Sequence, residues 1–257
     1  MFGPIIISTL LTLCNVSIPQ DDTKYPEFEQ HKIEHNGYNL PYRLMQPLNM
    51  DKNEKYPLVI FLHGAGERGD DNENTLLHVT PMINSKANRE KYPAYVVVPQ
   101  CAKEIKWADT DWTQKEHTQK AKPTAPMQAV IALLEQLEDN YNIDPTRIYV
   151  MGLSMGGFGT WDLVTRYPER FAAAIPICGG GDVTKAPLLK KMPLWIFHGE
   201  RDNVVPVECS RTMVAAIKKA GGQSMKYTEY KGVKHGSWIP AFKETELLKW
   251  LFEHQKE

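Results

Sequence analysis

RIYVMGLSMGGFGTW, residues 147–161, contains the pentapeptide Gly152-Leu153-Ser154-Met155-Gly156 between an apolar run and an amphipathic one. The pattern is G-x-S-x-G, with a strand predicted before it and a helix after it. A serine on so sharp a turn projects its hydroxyl above the edge of a sheet, and side chains at the flanking glycines would crowd the turn. The helix that follows aims its first, unpaired N–H groups at the same point, where negative charge on an oxygen could be stabilised. The pentapeptide alone is weak. With glycine and serine each at roughly 7% of ordinary usage, it recurs by chance in about one chain in ten of this length. Taken alone it also fits a glycine-rich turn whose serine caps a helix. Its setting has to decide.

Outward from this turn, strands and helices alternate. Phe28–Ile33 and Tyr38–Leu44 flank Asn36-Gly37, a strong hairpin signal, and Tyr38, Leu40, Tyr42 and Leu44 fall on one strand face. PLVIFL (57–62) and YVVV (95–98) are continuous apolar runs, as strands covered on both faces require. Met127, Val130, Ile131, Leu134, Leu137 and Tyr141 share a helical face over 126–141. Ile148–Leu153 is the serine strand, and its helix runs to Arg166. Strands follow at Ala172–Ile177, Leu194–His198 and Lys226–Tyr230, with helices at Cys209–Ala220 and Phe242–His254. The pattern predicts a three-layer α/β fold with a mostly parallel sheet of about eight strands. The short stretch between Ile177 and Leu194 leaves no room for a large lid domain. Long loops at 64–88 and 100–124 follow strands, and so belong to the carboxyl edge, where open α/β sheets bind ligands.

A serine nucleophile needs a base, and the base needs an orienting carboxylate. In sheets of this order the partners follow later strands as Asp or Glu, then His. HGERDNVVP (198–206) and KHGSW (234–238) supply them. Asp202 would orient His235, and His235 would take the Ser154 proton. Glu200 is the competing carboxylate, expected instead to pair with Arg201. The residue after the nucleophile, Met155, would give one oxyanion N–H, and the glycine-rich HGAGERG (63–69) the other, from Ala65. Glu67 and Arg68 in that loop are expected to pin it by a salt bridge or to touch substrate.

His63 and His198 end strands before glycine and read as buried histidines bonded to backbone. His31, His35, His78, His117 and His254 read as surface residues. No metal-ligand spacing appears, and the chemistry calls for no cofactor. Trp107 and Trp112 in the second long loop, and Trp238 after the histidine, are candidate substrate contacts, able to stack on a sugar or phenolic ring. Packing on the core as loop anchors is their alternative.

Lys and Arg number 30 against 31 Asp and Glu, for a formal net charge of −1, without a cationic stripe. Nucleic-acid binding is not expected. Ile5–Leu13 is apolar, too short to span a bilayer and right for the core of a signal peptide, although no Lys or Arg precedes it. Residues 1–20 are read as a signal peptide and 21–257 as the catalytic domain, with a secreted or periplasmic location. Leu11-Thr12-Leu13-Cys14 narrowly misses a lipoprotein box, and a buried N-terminal strand is the competing reading. Removal of Cys14 would leave Cys101, Cys178 and Cys209, an odd set expected to be buried free thiols.

The chain resembles the α/β-hydrolase-fold serine esterases, the group of bacterial carboxylesterases, feruloyl and acetyl-xylan esterases, polyhydroxybutyrate depolymerases and relatives of the prolyl oligopeptidases. The resemblance rests on PLVIFLHGAGERG (57–69), RIYVMGLSMGGFGTWDLVTRYPERFAAAIPICGGGD (147–182), HGERDNVVP and KHGSW, and covers roughly residues 28–254. It implies a Ser154–His235–Asp202 triad, with Ala65 and Met155 at the oxyanion hole. The implied substrates are small-acyl or aryl esters of acetyl or feruloyl type, free or linked to polysaccharide. A serine peptidase or amidase of prolyl-oligopeptidase type is the alternative, weakened because no propeller or immunoglobulin-like sequence accompanies these segments.

Overall fold

The structure, a computed structural model, describes residues 24–256. The proposed leader at residues 1–20 and Cys14 lie outside the described residues. The chain enters through a hairpin of β1 (Phe28–His35) and β2 (Tyr38–Met45). His35 pairs with Tyr38, so Asn36 and Gly37 are the whole turn, both at positive φ (51° and 78°). That is the backbone an Asn-Gly pair tolerates best, and it matches the right-handed twist of the strands.

The chain continues through β3 (Tyr56–Leu62), short helices α1 (Thr80–Ile83) and α2 (Lys86–Lys91), β4 (Tyr95–Pro99) and α3 (Ala125–Asn140). Then come β5 (Ile143–Leu153), α4 (Met155–Arg166), β6 (Ala173–Ile177), β7 (Leu194–Gly199), α5 (Glu208–Lys219) and β8 (Met225–Tyr230). Helices α6 (Trp238–Ala241) and α7 (Leu247–Phe252) follow. The sheet order is β1-β2-β4-β3-β5-β6-β7-β8. Strand β2 lies antiparallel to β1 and β4, and the other pairs are parallel. This is the eight-stranded, mostly parallel sheet of the α/β-hydrolase fold.

Alternation along β3 explains the layers. Leu58, Ile60 and Leu62 join the cluster under α3, α4 and α5, while Val59 and Phe61 join the cluster under α1 and α7. A sheet covered on both faces needs strands apolar at every position, and β3 and β4 are buried almost throughout. Helix α3 starts where the Thr124 side chain accepts from the Met127 N–H, and Met127, Val130, Leu134 and Leu137 are buried as the periodicity required.

Two boundaries differ from the sequence reading. Strand β5 begins at Ile143 rather than Ile148, because Asp144 folds onto Thr146 N and Oγ1 without breaking the strand. The closing helix expected over 242–254 is reduced to α7, with residues 242–246 in a turn that follows α6. Tyr230 donates to Glu244 Oε1 at 2.8 Å and Leu247 N to Glu244 O at 3.1 Å, holding a turn where the helix was expected.

Candidate active site

Six loops meet at the carboxyl edge of the sheet, one after each of β3, β4, β5, β6, β7 and β8. Ser154 links β5 to α4 with φ 52° and ψ −116°, a conformation L-residues avoid. Close packing holds it there. A Cβ on Gly156 would collide with the Leu62 carbonyl of β3, so only glycine lets α4 start this close to the sheet. Ser154 N donates to Ile177 O at 2.9 Å and Phe158 N to Ser154 O at 3.1 Å, tying the turn to β6 and to its own helix.

Ser154 Oγ lies 2.9 Å from His235 Nε2, and His235 Nδ1 lies 2.8 Å from Asp202 Oδ2. The carboxylate can only accept, so Nδ1 carries a proton and Nε2 is free to accept the Ser154 hydroxyl. The Asp202 carboxylate is fully buried, while a fifth of His235 remains exposed. Oδ1 of Asp202 accepts the Val204 and Val205 N–H groups at 2.9 Å each. Burial would raise this carboxyl, but hydrogen bonds from His198, His235 and those two N–H groups outweigh it and hold it well below the usual carboxylate range. Asp202 is therefore ionised wherever His235 can act as a base.

Met155 is the first residue of α4, next to Ser154, so its N–H has no intrahelical acceptor. Ala65 opens a short 3₁₀ turn, Ala65–Glu67. Gly64 precedes it where a Cβ would come within 2.7 Å of Leu153 Cδ1, which brings this loop against the residue before the serine. Arg68 Nε donates to Ala65 O at 2.9 Å, so Arg68 braces the loop through its backbone. The salt bridge expected between Glu67 and Arg68 is replaced. Glu67 is buried and takes His78 Nε2 at 3.3 Å. His78 packs on Trp238 (5.5 Å between ring centroids), and Trp238 packs on His235 (5.4 Å, nearly perpendicular).

The three tryptophans part company. Trp107 is a correction: it is fully buried, its indole N–H donates to His63 O at 3.0 Å and its ring meets His63 edge-on, so no face is left for substrate. It anchors the 100–124 loop, helped by Thr124 Oγ1 on Trp107 O (2.7 Å) and Cys101 N on His63 Nε2 (2.9 Å). Trp112 is half-buried against Ala108, Phe158 and Val205, with Lys106 Nζ over its ring at 4.5 Å. Trp238 is half-buried beside the histidine, with exposed Ile239 next to it.

Glu200 also differs from expectation. It accepts the Gly232 N–H at 2.7 Å rather than pairing with Arg201, and so ties the aspartate loop to the histidine loop. His63 is buried as expected, its ring lowered to about 4 by burial. His117 is half-buried rather than on the surface, bonded through Nδ1 to Thr110 Oγ1 at 2.7 Å and packed on Phe158. His198 does more than the backbone contact expected of it. Its Nε2 reaches Val205 O at 3.1 Å and Asp202 Oδ2 at 3.3 Å. The H-G-x-x-D spacing of 198–202 held the clue, since a four-residue turn at a strand end can fold the aspartate back onto the histidine.

Cys101, Cys178 and Cys209 are free and buried, and burial pushes each thiol up to about 12. Cys178, Asp202 and His235 place one potential ligand atom each within 4.8 Å of one another. Two of these are already bonded to each other, and a thiol so hard to ionise is a poor ligand. No helix among the described residues is long and apolar enough to cross a membrane.

Residues 48–246 match the family model described as phospholipase/carboxylesterase. A thermostable esterase of known crystal structure is 42% identical, with a TM-score of 0.84 over 90% of this chain and 64% of its own. A bifunctional acetylxylan esterase/xylanase of Neocallimastix patriciarum is 34% identical over 83 residues, 32% of this chain and 12% of its own. An uncharacterized secreted protein of Arthroderma benhamiae is 26% identical over 88% of this chain and 26% of its own. The chain thus spans well under half the length of these curated relatives.

Proposed function

The chain belongs to the phospholipase/carboxylesterase family of α/β-hydrolases, and on that premise we propose that it cleaves carboxylic esters through Ser154, His235 and Asp202. The carrying observation is the continuous chain of short contacts, 2.9 Å from Ser154 Oγ to His235 Nε2 and 2.8 Å from His235 Nδ1 to Asp202 Oδ2. Ser154 Oγ attacks the ester carbonyl carbon as its proton passes to His235 Nε2. The carbonyl electron pair moves onto oxygen, and the N–H groups of Ala65 and Met155 receive the charge that develops there. Collapse of the tetrahedral intermediate expels the alkoxide, which takes the proton from His235 and leaves an acyl-enzyme. Water then attacks the acyl carbon, again giving its proton to His235, and Ser154 departs with that proton restored.

The substrates proposed are small-acyl or aryl esters, of acetyl or feruloyl type, free or attached to polysaccharide. Trp238 beside His235 offers an aromatic face, and Trp112 packs against Phe158 and Val205, each of which bonds through its backbone N–H to a triad residue. The acetylxylan esterase/xylanase relative supports the acetyl reading. Export is proposed as well, on the apolar run Ile5–Leu13 and the likeness to a secreted protein.

A panel of nitrophenyl acetate, butyrate and palmitate, a feruloyl ester and a peptide anilide tests this reading. Short-acyl or feruloyl esters are expected to exceed palmitate in kcat/KM by about tenfold or more, because the rings of Trp238 and Trp112 suit a short or aromatic acyl group better than a long flexible chain. The anilide should be the poorest substrate. An anilide cleaved faster than every ester would replace the esterase reading with the peptidase one.

A further inference from the structure

Behind the aspartate lies a second histidine that the reaction above does not use. His198 closes β7 and is fully buried. Its Nε2 faces two acceptors, Val205 O at 3.1 Å and Asp202 Oδ2 at 3.3 Å, so that nitrogen must carry a proton. Its Nδ1 lies 2.7 Å from Ser210 Oγ on α5, while the Gly179 carbonyl is 3.3 Å from the same hydroxyl. The shorter contact takes the hydroxyl proton. Ser210 then donates to Nδ1 and fixes the proton of His198 on Nε2 (a relay running Ser210, His198, Asp202, His235, Ser154).

We propose that His198 is a positioning residue for the triad: held in one tautomer by Ser210, it donates to Asp202 Oδ2 and sets how strongly that carboxylate binds the His235 proton. This rests on the triad reading of Ser154, His235 and Asp202. Oδ2 is shared between the two rings, so each proton drawn onto it from His198 leaves less charge for His235. Removing the His198 donor concentrates that charge on the His235 side. His235 then keeps its proton to higher pH and is available as a base only above it.

The other titratable groups around the pair come from four elements. Cys178, after β6, and Cys209, on α5, are thiols pushed up to about 12 by burial. Glu229, opposite His198 on β8, is held below its usual range by the hydrogen bond from Arg211. His235 itself comes from the loop after β8. None of the thiols nor Glu229 changes charge near neutrality, so the acid limb of a kcat/KM profile reads the Asp202–His235 pair.

The experiment compares the pH profiles of kcat/KM on nitrophenyl acetate for the wild type and for His198→Leu, His198→Gln, Ser210→Ala and Asp202→Asn. In His198→Leu the acid limb is expected to move up by about half a pH unit and kcat to fall about tenfold. Ser210→Ala should move the limb the same way by less. Glutamine places its amide nitrogen near the Nε2 position, so His198→Gln should return the limb to the wild-type position. A residue that only fills space would lower activity or the unfolding midpoint without moving the limb, and glutamine would not restore it. Acid limbs of His198→Leu and Ser210→Ala that coincide with the wild type overturn the proposal while the triad stands, provided Asp202→Asn is severely impaired. Should His198→Leu fail to fold, Ser210→Ala decides alone. An Asp202→Asn enzyme of near-normal activity overturns the triad reading and this proposal with it.

Discussion

Ser154→Ala is expected to lower kcat on any ester substrate by about five to six orders of magnitude while leaving the fold intact. Loss of Oγ removes the proposed attacking atom, and no neighbouring group among the described residues replaces it. The Cys178 thiol is fully buried and pushed up to about 12. The substitution should be structurally mild. Ser154 makes its backbone bonds through N to Ile177 O and from Phe158 N to its own O, and both survive. Relief of the positive φ is not part of the change, because alanine meets the same barrier there as serine. Steady-state kinetics with circular dichroism on the same preparations checks this, and a residual activity within about a hundredfold of wild type would be too high for a lost nucleophile.

Asp202→Asn should cost about four orders of magnitude in kcat, with KM little altered. The geometry says why an almost isosteric change is so damaging. Both carboxylate oxygens accept only: Oδ1 from two backbone N–H groups, Oδ2 from His235 Nδ1 and His198 Nε2. An amide must place its NH₂ against one of these donor pairs whichever way it turns. If the NH₂ faces His235, the ring is driven to the other tautomer, with its proton on the nitrogen that faces Ser154. A base already carrying that proton cannot take another. If the NH₂ instead faces Val204 and Val205, two backbone N–H groups lose their acceptor and the loop carrying residue 202 is displaced. The measurement is kcat and KM across pH 5–9, and a fall of less than about tenfold would contradict the assigned role.

Most of the fold was legible because the deciding residues act locally. Asn36-Gly37 specifies its turn through its own backbone, and the unbroken apolar runs of β3 and β4 announce a sheet covered on both faces. The elbow glycines read correctly for a related reason: a backbone that must approach another within van der Waals distance leaves no choice of residue. Order along the chain pointed to Ser154, Asp202 and His235, and the parallel sheet brings these three side chains together at one edge.

What escaped the sequence depended on contacts between distant segments. Nothing within residues 100–124 says that the Trp107 indole folds back 44 residues to the His63 carbonyl, so its aromatic ring read equally well as a substrate platform. Glu200 beside Arg201 suggested a local ion pair, but the Gly232 N–H from the next strand's turn is the better-placed partner. The closing helix failed for the same reason. Its residues share helical propensity over 242–254, and the turn at Glu244 is imposed by the Tyr230 hydroxyl from β8. His198 is the instructive case. Its spacing from Asp202 was visible, yet a histidine before glycine at a strand end ordinarily bonds backbone alone, and only the packed loop shows its second acceptor.

In the proposed reaction His235 activates the Ser154 hydroxyl, which forms the covalent intermediate. Reaction with a fluorophosphonate probe, followed by peptide mass spectrometry, tests it most directly. One adduct per chain is expected, on the peptide carrying Ser154, with loss of esterase activity in step with labelling and no labelling of Ser154→Ala. An enzyme that hydrolyses esters while its Ser154 stays unmodified, or that is inactivated by an adduct on another residue, would contradict it.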